Sequence, residues 1–105
     1  MADLLDTIRA LMRASGCDLD QIESTLTDGY AHALSLEAER WRLEKRIAEV
    51  AQGILGGDTA ELALELGNLA RRLDGNAADL VELRALLTDL RRHADDVRVA
   101  LKMAV

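Results

Sequence analysis

Apolar residues recur along this chain at alternating intervals of three and four, in two long runs on either side of a glycine pair. The first run is Leu19, Ile22, Leu26, Gly29, Ala33, Leu36, Arg40, Leu43, Ile47, Val50 and Ile54. The second is Leu62, Leu66, Leu69, Leu73, Asn76, Leu80, Leu83, Leu87, Leu90, Ala94, Val97 and Leu101. Such spacing lines each set along one seam of an α-helix. Reversal at Gly56-Gly57, where glycine tolerates the positive φ of a tight turn, brings the seams face to face. Ile54 then opposes Leu62, Val50 opposes Leu66, Ile47 opposes Leu69 and Leu43 opposes Leu73, without a slip as far as Leu19 against Val97. The pattern predicts an all-α fold: a long antiparallel helical hairpin (a coiled coil) over 18–55 and 58–103. A short N-terminal helix over 3–14 completes a single helical domain, 1–105.

Local signals mark the ends. Asp18 with Gln21, and Asp58 with Glu61, are spaced as capping boxes at the starts of the two long segments. Leu4, Leu5, Ile8, Leu11 and Met12 form the stripe of the first helix, which Ser15-Gly16-Cys17 interrupts. Asp74-Gly75-Asn76 reads locally as a turn. The heptad phase passes through it unchanged, with Gly75 on the outer face, so the reading is one continuous helix.

Two polar residues, Arg40 and Asn76, fall in one seam layer. A seam Asn lowers stability but fixes register, and Arg40 is placed to bond its side-chain oxygen. Outside the seam runs a second apolar stripe. It comprises Tyr30, Leu34, Trp41, Ala48, Ala51 and Leu55 on the first long segment, with Ala63, Ala70 and Ala77 on the second. A hairpin needs one seam only, so this stripe predicts a homodimer, closing as a four-helix bundle, or the docking of a partner's amphipathic helix. The flanking charges give mixed support. Glu23 opposes Arg91 and Tyr30 lies under Arg84, but Glu39 meets Asp79 and Arg46 meets Arg72.

Composition narrows the partners. The 105 residues include no Pro and no Phe and carry a formal net charge of −6, which disfavours binding to nucleic-acid phosphates. Cys17, the one cysteine, can form no intramolecular disulfide. The opening Met1-Ala2-Asp3-Leu4-Leu5-Asp6 lacks the basic and apolar regions of a signal peptide. No apolar run approaches the ~20 residues that span a bilayer. The expectation is a cytoplasmic protein with no nucleic-acid or membrane partner.

Little here resembles catalytic machinery. Asp89 and His93 stand four apart on one helix face, and Glu23 lies across the hairpin. Those three are the candidate ligands of an alternative reading, a metal-binding helical bundle, although the Glu-x-x-His pattern of ferritin-like sites is absent. Cys17 sits at a helix start without a His beside it, so it reads as a loop thiol. Gly53, Gly56 and Gly57 follow no strand and lack the Lys-Ser/Thr ending of a phosphate loop. No catalytic residue and no cofactor are predicted. The length, acidity and hairpin plan are similar to the small secreted WXG-type helical proteins and to small acidic helical export chaperones. The Trp-x-Gly turn of the former is missing: the turn is Gly53-Ile54-Leu55-Gly56-Gly57, and Trp41 precedes Arg42-Leu43 inside a helix. The functional expectation is a non-enzymatic protein–protein interaction module with an adaptor, chaperone-like or assembly role.

Overall fold

The computed structural model describes residues 1–14, 18–57 and 59–104. They form three helices, α1 (Ala2–Arg13), α2 (Leu19–Leu55) and α3 (Ala60–Met103). The long helices α2 and α3 pack against each other as a helical hairpin. Asp18 caps α2, its Oδ1 accepting the Asp20 N–H at 3.0 Å, which satisfies one of the free donors of the first turn. At the reversal, Gly57 holds φ at +106°, a conformation that a side chain disfavours. The interruption at Ser15-Gly16-Cys17, the loop thiol of Cys17 and the Asp58 cap lie outside the described residues.

The chain divides into two compact units, to each of which α2 and α3 contribute. The first unit is Met1–Ala33 with Val81–Val105. Here α1 is the third helix. It buries Leu5, Ile8 and Leu11, and the long helices bury Ile22, Leu26, Leu83, Leu87, Leu90 and Ala94. Arg9 of α1 donates to Glu82 of α3 at 2.5 Å. Gly29 lies in the seam because Leu87 fills the space beside it: a Cβ at position 29 would collide with the Leu87 side chain.

The second unit, Leu34–Leu80, is the hairpin around the turn and has two helices only. Leu43, Val50 and Leu69 form its buried centre, with Ile47, Ile54, Leu62, Leu66 and Leu73 packed on it and only partly covered. The members of the four layers nearest the turn therefore gather in one cluster, as the seam pattern predicts. Two helices leave the outer edges of those side chains accessible, which a third helix prevents in the first unit.

α3 is continuous through Asp74-Gly75-Asn76, so the local turn signal yields to the helix that the seam sustains. Gly75 is exposed, with no atom within 4 Å of where a Cβ would stand. Gly75→Ala is therefore expected to stabilise the protein by about 0.5–1 kcal/mol, through helix propensity and a less free unfolded chain. A thermal melt followed by circular dichroism should rise by a few degrees. A fall would show that position 75 needs a backbone only glycine adopts.

Candidate interaction face

In the second unit the two flanks of the seam differ. One is charged. Arg46 Nε donates to Glu65 Oε1 at 2.7 Å and Arg46 Nη1 to Glu49 Oε2 at 3.4 Å. Arg72 Nη2 stands 3.8 Å from Glu39 Oε1. These pairs correct the expectation that Glu39 meets Asp79 and Arg46 meets Arg72. Each side chain reaches diagonally to a residue seven places earlier on α3, where the charge is opposite. Glu23, in the first unit, accepts from Arg98 at 2.6 Å rather than from Arg91, here seven places later on α3. Donating to the Glu65 and Glu23 carboxylates raises the pKa of Arg46 and Arg98, respectively, above the usual arginine value. All these groups are well hydrated, so the pairs set the stagger of the flank and contribute little stability.

The other flank carries more apolar residues, alongside Glu37 and Glu44, which stand two residues before Glu39 and Arg46. Trp41 lies two residues after Glu39, and Ala63 and Ala70 two residues before Glu65 and Arg72. Two residues turn a helix by roughly 200°, which carries all three across the seam from the ion pairs. Trp41 is 62% exposed, Leu34 66% and Leu55 88%. Ala48, Ala63 and Ala70 are exposed and Ala77 is half-buried. The Lys45 ammonium rests 5.3 Å from the centre of the Trp41 ring, a cation–π contact of about 0.5–1 kcal/mol at an exposed site. Tyr30 belongs to the first unit, where it is 43% exposed.

The polar layer is half as expected. Asn76 is 5% exposed and its Nδ2 donates to the Leu36 carbonyl across the hairpin at 2.9 Å. Its Oδ1 is buried without a partner. Arg40 does not bond it: Arg40 is exposed and donates from Nε to Glu44 Oε1 at 3.0 Å. A guanidinium drawn into the seam would lose its hydration for one neutral acceptor, and a carboxylate one turn away on the wet surface is the better partner. Asn76→Leu is therefore expected to raise stability by about 1–3 kcal/mol, the cost of the stranded oxygen, and to loosen assembly specificity. Chemical denaturation and sedimentation measure the two effects. A clear loss of stability would mean that the bond to Leu36 outweighs the stranded oxygen.

The candidate metal ligands are not gathered into a site. Glu23 is held by Arg98, and Asp89 stands 4.0 Å from Arg92. His93 Nε2 is buried without a hydrogen-bond partner, beside an open pocket of about 340 Å³ lined by Met12, Asp89, Arg92, His93 and Asp96. Among the described residues no group of three or more His, Cys, Asp or Glu is placed to hold a metal ion. Also among them, no helix is long and apolar enough to cross a membrane.

Sequence reasoning left α1 without a berth. The signal lies in the flank opposite the apolar stripe. There Glu39, Arg46, Glu65 and Arg72 recur at heptad spacing, but the same register carries Thr25 and His32 on α2, and Leu86 and His93 on α3. Uncharged residues mark the stretch where a third helix packs, and Thr25 is indeed buried. Comparison with family models, with curated proteins and with solved structures returns no match.

Proposed function

We propose that this chain is a non-enzymatic protein–protein interaction module, with an adaptor, chaperone-like or assembly role, that works as a dimeric coiled-coil hairpin. The observation that supports it is the second unit's apolar flank, with Leu34, Trp41 and Leu55 each more than half exposed. Exposed apolar side chains in one contiguous patch mark interaction surfaces, whereas scattered ones need no explanation. The apolar face of α1 is covered within the first unit, so the open flank of the hairpin is the surface offered to a second copy or to an amphipathic partner helix. The same reading takes the protein as cytoplasmic, where a lone Cys17 stays reduced. Its net charge of −6 supports the absence of a nucleic-acid partner. Sedimentation equilibrium tests the reading. The expected mass at micromolar concentration is twice the 11.5 kDa of the chain, and a monomer at high micromolar concentration would overturn the dimer.

A further inference from the structure

We infer that the berth of α1 in the first unit is a helix-binding groove that α1 holds closed, and that an amphipathic helix of a partner protein docks there in its place. The inference rests on the interaction-module reading and adds a second surface, separate from the flank of the second unit.

The groove is built to take a helix. In the second unit the flank positions Glu39 and Arg46 of α2 form ion pairs with Arg72 and Glu65 of α3. In the first unit the same heptad positions hold Thr25, His32, Leu86 and His93. None of them is a carboxylate, a lysine or an arginine, so a helix covers this flank without desolvating one of those charges. α1 does so with Leu5, Ile8 and Leu11, buried at intervals of three, and with Arg9 facing Glu82.

The hairpin does not depend on α1. The second unit makes its core from α2 and α3 alone, around Leu43, Val50 and Leu69, so the same kind of seam stands without a third helix. α1 itself is 12 residues long, a length at which an isolated helix is marginal in water. No side chain caps its N-terminus. The ion pair to Glu82 joins two solvent-accessible side chains and holds α1 only weakly. Opening α1 therefore bares the groove without undoing the hairpin.

α1 also fills the groove imperfectly. His93 Nε2 is buried without a hydrogen-bond partner. Met12, near the C-terminal end of α1, lines the same open pocket as His93 and brings only a thioether to it. A buried polar atom left unpaired costs stability. A partner helix with the apolar spacing of α1, a cation facing Glu82 and an amide where α1 has Met12 makes the contacts that α1 makes and adds the one that His93 lacks. That chemistry defines the occupant and gives it the advantage over α1.

The probe is a fluorescent peptide of residues 1–14 carrying Met12→Gln, whose amide both donates and accepts and so pairs with His93 in either tautomer. By anisotropy, the full-length Ile8→Asp chain, whose own α1 cannot stay buried, is expected to bind the peptide about tenfold or more tightly than wild type, in which the tethered α1 competes. Arg9→Glu in the peptide should weaken that binding several-fold, and Glu82→Arg in the chain should restore it. In wild type, amide exchange along α1 should run about tenfold or more faster than at Leu83, Leu87 and Leu90. An Ile8→Asp chain that stays helical and takes no peptide overturns the groove. So does one that loses its helicity, or an α1 that exchanges no faster than α3, because α1 would then be part of the hairpin's own core. Sedimentation of wild type separates the two readings: a dimer beside any of those failures leaves the interaction reading standing, and a monomer without peptide binding overturns both.

Discussion

Trp41→Ala is expected to turn a dimer into a monomer while most of the helicity remains. Trp41 lies outside the seam and is 62% exposed in the single chain, so its removal leaves the hairpin's own core in place. Enclosed by a second copy, the indole would lose a large apolar surface on truncation, worth about 3–5 kcal/mol. That loss weakens association by at least about a hundredfold. Ala70→Glu should act in the same direction by adding bulk and charge where helices must approach. Sedimentation equilibrium reads the association and far-ultraviolet circular dichroism the helicity. Trp41 is the only tryptophan, so its fluorescence reports the interface directly: emission should shift to the red as wild type is diluted. If Trp41→Ala associates as wild type does, the indole is not at the interface.

Ile8→Ala should produce the other large effect, confined to stability. Ile8 is wholly buried in the first unit, where it anchors α1. Its truncation is expected to cost about 2–5 kcal/mol through lost transfer energy and the cavity left behind, out of the 5–15 kcal/mol that a typical domain has. Urea denaturation should show the loss. Amide exchange should quicken first along α1, as the least anchored element opens before the rest. The proposed interaction flank belongs to the other unit, so the two effects should add with little coupling. A loss under about 1 kcal/mol would mean that α1 does not depend on this contact.

The hairpin was legible because its signal is redundant. Many seam positions agree on one phase, and a single turn at Gly56-Gly57 fixes how the two seams meet. That consistency is why Gly75 and Asn76, which read locally as a turn, are carried inside α3: one interior glycine costs ~1 kcal/mol, less than the packing on either side. The polar layer was legible only in part. Position put Arg40 beside Asn76, but the choice of partner depended on hydration, and Arg40 took Glu44 on its own helix. The ion pairs were misjudged for a related reason. Seam register places Cα atoms, whereas Arg46, Arg72 and Arg98 each reach along the helix to the nearest opposite charge.

By itself the sequence determined the helices, the reversal, the register and the apolar stripe, because each follows from periodicity along one chain and needs no knowledge of what lies across a gap. Only the tertiary structure decided that α1 packs in the first unit and leaves the second with two helices. That outcome depends on which flank offers uncharged neighbours such as Thr25 and Leu86, a relation between segments far apart in sequence. It likewise decided that Asn76 turns its amide to the Leu36 carbonyl and strands its oxygen. Periodicity says which residues face inward, and the burial of one side chain against another says which of them stay exposed for a partner.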